Sequence, residues 1–219
     1  MTTVRTVGIV LFEGTEVLDF AGPFEVFGVT GEDDPFPKPF SVFTVAERSP
    51  VVLRNGLTVT PTSTFDDAPQ PDILVVPGGG GFHLDGTPWG RRAEMHNPAM
   101  LDFVRRINEH TELTLSVCSG AFILAKAGLL SGLRVTTAIP QLGELQALLP
   151  DATVVEGVRW VDAGHIVTSA GVSAGITMSL NVVARLLGPE VARQTARTME
   201  YDWEPAQETT DSYSALHSS

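Results

Sequence analysis

Short runs of Val, Ile and Leu, bounded by Gly and Pro, alternate along the chain with longer segments whose apolar residues recur every three or four positions. The first pattern marks a buried strand and the second a helix with one apolar face. Val4 to Phe12 therefore reads as a strand, and Glu16 to Gly28, with Val17, Phe20, Phe24 and Phe27 on one stripe, as a helix. Phe40 to Ala46 is a strand, and Val51 to Leu53 and Leu57 to Thr60 flank Asn55-Gly56, the signal of a two-residue hairpin turn. Ile73 to Val76 runs into Pro77 and a glycine series, as a fully buried strand does at its end. Pro98 to His110 is a helix, Leu113 to Val117 a strand, and Ala121 to Ala127 a helix stopped by Gly128. Arg134 to Thr137 is a strand and Gln141 to Leu148 a helix. Thr153 to Val155, Val158 to Val161 and Ile166 to Thr168 are short strands, followed by helices from Ile176 to Leu187 and Glu190 to Met199.

This alternation predicts an α/β fold, a mostly parallel central sheet with helices on both faces. The chain has 219 residues, 43% hydrophobic and only 18% charged, which gives one domain with a sizeable core and excludes a disordered chain. No linker or internal repeat divides it, so a single domain over residues 1–203 is expected, with a polar, flexible tail from 204 to 219. The formal net charge of −12 argues against a phosphate-binding surface and hence against direct nucleic-acid binding. Small, neutral molecules fit better as substrates or partners. The longest apolar runs are too short for a bilayer crossing, and Glu13 interrupts the only apolar stretch that could open a signal peptide. A single cysteine excludes an internal disulfide and a multi-cysteine zinc site. A soluble cytoplasmic domain is expected.

That cysteine is the most informative residue. Leu113-Thr-Leu-Ser-Val-Cys118-Ser-Gly120 carries a buried strand straight into Cys118 and then into a helix. A nucleophile there sits on a sharp turn at the carboxyl edge of the sheet, where open α/β folds build their sites. A helix N-terminus beside it is expected to stabilise a thiolate and lower the thiol pKa. Elsewhere a lone cysteine is more often a buried small hydrophobe, but this context favours a functional thiol. Pro77-Gly78-Gly79-Gly80-Gly81 follows another central strand, and a backbone N–H from it, with that of Ser119, is a candidate oxyanion hole. By itself such a glycine run reads more simply as a flexible loop. Asp19 lies among apolar residues, where a carboxylate needs a partner; a helix-capping role is the alternative.

Gly8-Ile-Val-Leu-Phe, Leu18-Asp-Phe-Ala-Gly-Pro-Phe-Glu-Val-Phe, Val76-Pro-Gly-Gly, Val117-Cys-Ser-Gly-Ala and Thr168-Ser-Ala-Gly-Val-Ser-Ala-Gly, in this order and spacing, resemble the PfpI/ThiJ superfamily. Within it they are most similar to isocyanide hydratases and to the amidase-like domains of AraC-type regulators, and Glu200-Tyr201-Asp202 matches the same branch. The resemblance runs from about Val7 to Tyr201. It implies a flavodoxin-like three-layer sandwich, usually a homodimer, with the reactive cysteine at Cys118, its carboxylate partner at Asp19, and oxyanion donors on the backbone of Gly79 and Ser119. Two departures stand out. Many relatives carry Thr-Thr-His where this chain has Thr136-Thr-Ala138, so a Cys–His amidase or protease would lack its base and leaving-group acid. The stretch from Phe82 to Asn97, with His83, Trp89, Arg91, Arg92 and His96, is longer than expected and could form a lid or reshape a pocket. His83 could supply an imidazole, although a solvated loop histidine is the simpler reading.

Other motifs carry less. Gly171-Val-Ser173-Ala-Gly175 has the serine-elbow pattern, but the only later histidine is His217, so these small residues read as close packing of strand against helix. Gly81 to Thr87 has phosphate-loop glycine spacing without the lysine. The five histidines show no metal-ligand spacing, and neither a metal nor a cofactor is expected. The resemblance and the thiol–carboxylate pair together imply an isocyanide hydratase-like lyase. A non-enzymatic small-molecule or redox sensor using Cys118 is the alternative, though no helix-turn-helix segment follows. An α-oxoaldehyde hydratase or deglycase is a third reading, weakened by Ala138.

Overall fold

The apolar run after Val4 forms strand β1 (Arg5–Leu11) in the computed structural model, which describes residues 4–32 and 38–205. It leads into helix α1 (Val17–Val29), then β2 (Phe40–Ala46), β3 (Val51–Val52), β4 (Thr58–Val59), β5 (Ser63–Thr64) and β6 (Ile73–Val76). There follow β7 (Gly80–Phe82), β8 (Pro88–Gly90), α2 (Arg91–Glu94), α3 (Pro98–Asn108), β9 (Leu113–Ser116) and α4 (Ala121–Lys126). The chain continues through β10 (Arg134–Val135), α5 (Leu142–Leu148), β11 (Thr153–Val154), β12 (Trp160–Asp162), β13 (Ile166–Ser169), α6 (Ala174–Leu187) and α7 (Pro189–Thr198).

The main sheet has the order β12-β13-β9-β6-β1-β2-β5. Only β12 runs antiparallel to its neighbour. Parallel pairing demands crossovers, which helices supply except between β2 and β5, where the β3–β4 hairpin makes the connection. Successive strand residues face opposite ways, so Val7, Ile9, Leu11, Ile73, Val75, Leu113 and Leu115 pack with α1, α6 and α7. Val10, Leu74 and Val76 pack with α3, α4 and α5 on the other face. Covered on both sides, β6 and β9 are buried at every residue; β6 is an unbroken apolar run, as such burial favours, and β9 buries Thr114 and Ser116 beside Leu113 and Leu115. The result is a flavodoxin-like three-layer sandwich. From β1 the chain moves to β2 on one side and returns to β6 on the other, so the carboxyl ends of β1 and β6 flank the topological switch point, where such sheets bind ligands.

Several local expectations shift. The buried stripe of α1 is Asp19, Phe20, Gly22, Pro23, Val26 and Phe27, with Phe24 outside it and exposed. The hairpin at Asn55-Gly56 exists, but its register of Val51 with Val59 and Val52 with Thr58 leaves Leu53 to Leu57 as the loop. Both Asn55 and Gly56 adopt positive φ there, 62° and 82°, and the loop closes with Leu53 N–H donating to Leu57 O at 2.7 Å. The strand expected at Val158 to Val161 is displaced to Trp160–Asp162. The stretch from Phe82 to Asn97 forms the β7–β8 hairpin and α2. The Gly171–Gly175 segment does pack closely: a methyl carbon added at Gly175 would lie 2.9 Å from Val117 Cγ1. No helix among the described residues is long and apolar enough to cross a membrane. Most of the expected tail, residues 206–219, lies outside the described residues.

Candidate active site

β9 ends at Ser116, Val117 is still extended, and Cys118 turns the chain with φ at 55°. A left-handed conformation costs an L-residue about 1–2 kcal/mol, so neighbours must hold it. Cys118 N–H donates to Ala170 O at 3.1 Å, and Thr137 Oγ1 donates to Cys118 O at 2.7 Å. Gly120 completes the turn against β6: a Cβ there would lie 2.1 Å from Val76 O, so only glycine fits. The elbow thus depends on close approach of two neighbouring strand ends.

Asp19 comes from the first turn of α1 and is fully buried. Its Oδ2 accepts from Gly78 N–H at 3.0 Å, while Oδ1 is buried with no hydrogen-bond partner among the described residues. The carboxyl therefore reaches across the switch point to the glycine turn after β6 instead of capping its own helix. Gly79 N–H donates to Ser119 Oγ at 3.1 Å. This departs from the expected oxyanion hole: the Gly79 donor is occupied by the neighbouring hydroxyl, which is close enough to compete. Gly78 leaves no room for a side chain, since a Cβ would lie 2.5 Å from Ser119 Oγ and 3.0 Å from Asp19 Oδ2.

Electrostatics couples the two groups. Burial pushes the Asp19 carboxyl up to about 7; the Gly78 N–H, the Cys118 thiol and Arg54 pull it down, and Glu16 adds to the rise. Burial, and then the charge of Asp19, push the Cys118 thiol up to about 12, partly offset by the backbone N–H groups of Ser119 and Val172 and by the Ser119 hydroxyl. The lowered thiol pKa expected from the helix N-terminus is not found. The helix is short, Ala121–Lys126, and its end effect is outweighed by desolvation and a buried carboxylate. Each ionisation opposes the other, so the pair loses its first proton near pH 7 and holds a single shared proton above it. A thiolate forms there when Asp19 takes that proton.

Ala138 lies under Gly171, its Cβ 3.6 Å from where a Gly171 Cβ would be, and no histidine among the described residues contributes to the environment of either ionising group. His83 is exposed and tilts against Trp89, ring centroids 5.6 Å apart. Trp89 covers Gly14, where a Cβ would lie 2.6 Å from the indole, so the hairpin is seated on the loop after β1. Three contributors were not singled out from the sequence. Val172, with φ at 48°, turns its N–H toward the sulfur; a β-branched residue in that region is a true outlier, and strain has no sequence signature. Glu16 and Arg54 pair at 3.2 Å beside Asp19 through a contact between distant segments. Among the described residues no group of His, Cys, Asp and Glu could hold a metal ion.

The sequence profile described as the DJ-1/PfpI family matches residues 5–185. The chain is 30% identical over 201 residues to an isonitrile hydratase of Pseudomonas putida, covering 89% of this chain and 78% of the relative. It is 26% identical to the HTH-type transcriptional regulator CdhR of Pseudomonas aeruginosa over 69% of this chain but only 42% of that longer protein. A solved ThiJ/PfpI family protein from Pseudomonas syringae superposes with a TM-score of 0.79 at 29% identity, over 93% of this chain and 78% of its own.

Proposed function

The chain belongs to the DJ-1/PfpI family, and within it we propose that it is a hydro-lyase of the isonitrile hydratase type, converting R–N≡C and water to R–NH–CHO. The observation that carries this reading is the Cys118–Asp19 pair: a thiol on a strained elbow against a fully buried carboxyl, with one oxygen unpartnered and no histidine in the pair's environment among the described residues. Isonitrile hydration needs a nucleophile and one relayed proton, and this pair holds both.

In the forward step Asp19 takes the thiol proton, the sulfur forms a bond to the terminal carbon, and Asp19 returns the proton to that same carbon. The product is a thioimidate, Cys118 S–CH=N–R. Asp19, again a carboxylate, accepts a proton from the water that adds to this carbon, and delivers it to nitrogen. The C–S bond of the tetrahedral adduct then breaks; the hydroxyl proton passes through Asp19 to the departing sulfur, leaving the formamide and the free thiol. Ser119 N–H and Val172 N–H, already turned toward the sulfur, stabilise its negative charge in both steps. Gly79 N–H supports this indirectly, by fixing the Ser119 hydroxyl. The likeness to the P. putida isonitrile hydratase over most of both chains supports this choice within the family.

The test is steady-state hydration of a simple aryl isonitrile, followed by formamide absorbance, with methylglyoxal as competing substrate class. Thiol-dependent turnover of the isonitrile alone is expected. Turnover of methylglyoxal alone would replace the reading with an α-oxoaldehyde hydratase. Turnover of neither, with stoichiometric oxidation of Cys118 by dilute peroxide, would replace it with a sensor.

A further inference from the structure

Arg91 is the bulkiest fully buried side chain among the described residues. Its guanidinium lies 4.0 Å above the Phe122 ring of α4 and grips Glu144 of α5 with both Nη atoms, at 3.2 and 3.0 Å. Nη1 also contacts Met95 Sδ at 3.6 Å. Arg92 binds the same carboxylate from the solvent side, at 3.1 Å to each oxygen. A buried ion pair is seldom a gain in stability over apolar packing of the same volume, so its consequence is better sought in what it holds in place.

That consequence lies in the backbone. Arg91 N–H donates to Gly79 O at 3.1 Å, and Gly80 pairs with Gly90 so tightly that a Cβ on Gly90 would lie 2.4 Å from Gly80 Cα. The β7–β8 hairpin therefore leaves the glycine turn at Gly79 and returns to it at Arg91. The N–H groups of that turn are the ones that hold Asp19 and Ser119. We infer that Arg91 is a positioning residue: clamped between Phe122 and Glu144, it fixes the base of the hairpin and so aims the Gly78 and Gly79 N–H groups at Asp19 and Ser119. The inference rests on the Cys118–Asp19 pair as the reacting centre and holds for any electrophile.

The experiment is the rate of Cys118 alkylation by iodoacetamide against pH, which needs no isonitrile. The groups facing Asp19 are Glu16, Arg54 and Cys118, and Arg91→Met changes none of them. It also leaves the residue-91 N–H in place and Glu144 still paired with Arg92, so no buried charge is orphaned. The wild-type rate is expected to rise with a midpoint near pH 7, as the pair loses its first proton. In Arg91→Met the Gly78 N–H no longer steadies the Asp19 carboxylate, and the midpoint moves up by about one pH unit. Arg91→Lys, which keeps the charge but not the fork, falls between, and Arg92→Met keeps the wild-type midpoint. Should Arg91→Met not fold, Glu144→Gln, altered at the half-exposed member of the pair, is expected to move the midpoint in the same direction. A wild-type midpoint in folded Arg91→Met or Glu144→Gln overturns the inference, as does an equal shift in Arg92→Met, which would reduce it to a general charge effect. A wild-type profile with no break near pH 7 removes the coupled pair itself, and both readings fall.

Discussion

Replacing Asp19 by Asn tests the electrostatics of the site without requiring turnover. The wild-type carboxyl is fully buried, and its pKa rises from 3.8 to about 7, about three units, each equivalent to about 1.36 kcal/mol. The sign follows from proton binding. Between about pH 4 and pH 7 the folded protein keeps a proton that the unfolded chain has released, so wild-type stability falls as pH rises through this range. Above the folded pKa the loss is complete, at up to about 4 kcal/mol. Asn cannot ionise, and its amide oxygen can still accept from Gly78 N–H. Urea denaturation of both proteins at pH 4 and pH 8 is therefore expected to show Asp19→Asn gaining on wild type by up to about 4 kcal/mol, equivalent to about 10 °C in Tm for a chain of this size. Titrations elsewhere cancel in the difference. A stability difference that does not change between the two pH values would refute the reasoning, because Asp19 would then not be the desolvated partner of the thiol.

Three further outcomes follow from the same geometry. Gly120→Ala forces a carbon to within 2.1 Å of Val76 O; a loss of about 3 kcal/mol in denaturant unfolding is expected, with Cys118 alkylation altered because the elbow opens. Gly78→Ala pushes on both Ser119 Oγ and Asp19 Oδ2 and is expected to lower kcat for isonitrile hydration at least tenfold in a protein that remains folded by circular dichroism. His83→Ala, on an exposed hairpin tip, is expected to leave kcat/KM within about twofold of wild type; a larger loss would bring the imidazole into the mechanism.

The layer architecture was legible because β6 is a short unbroken apolar run ending at the glycine turn and β9 alternates Leu113 and Leu115 with small hydroxyl residues before the cysteine turn, and both suit strands covered on two faces. Asp19 and Cys118 were legible for a related reason: an acid within an apolar stripe and a nucleophile between strand and helix both break a local pattern. The direction of the Cys118 shift was not, since it depends on burial and on a carboxylate 99 positions earlier in the chain. The Gly79 N–H, expected from the sequence as an oxyanion donor, lies beside the elbow and donates to Ser119 Oγ, a contact that depends on one side-chain rotamer. The β7–β8 hairpin escaped because its strands are three residues each and carry three glycines between them. Arg91 escaped because two adjacent arginines in a polar stretch look alike, and only the fold buries one of them under Phe122 and Glu144.

The central claim is that Cys118 attacks the electrophile and Asp19 carries the proton. Intact-protein mass spectrometry of acid-quenched mixtures of protein and aryl isonitrile tests it most directly, because addition of the thiol across the isonitrile carbon raises the mass by that of one whole isonitrile. The account predicts this increment on the wild-type protein and its absence in Cys118→Ala. Formamide produced at the wild-type rate by Cys118→Ala, with no adduct in either protein, would contradict it.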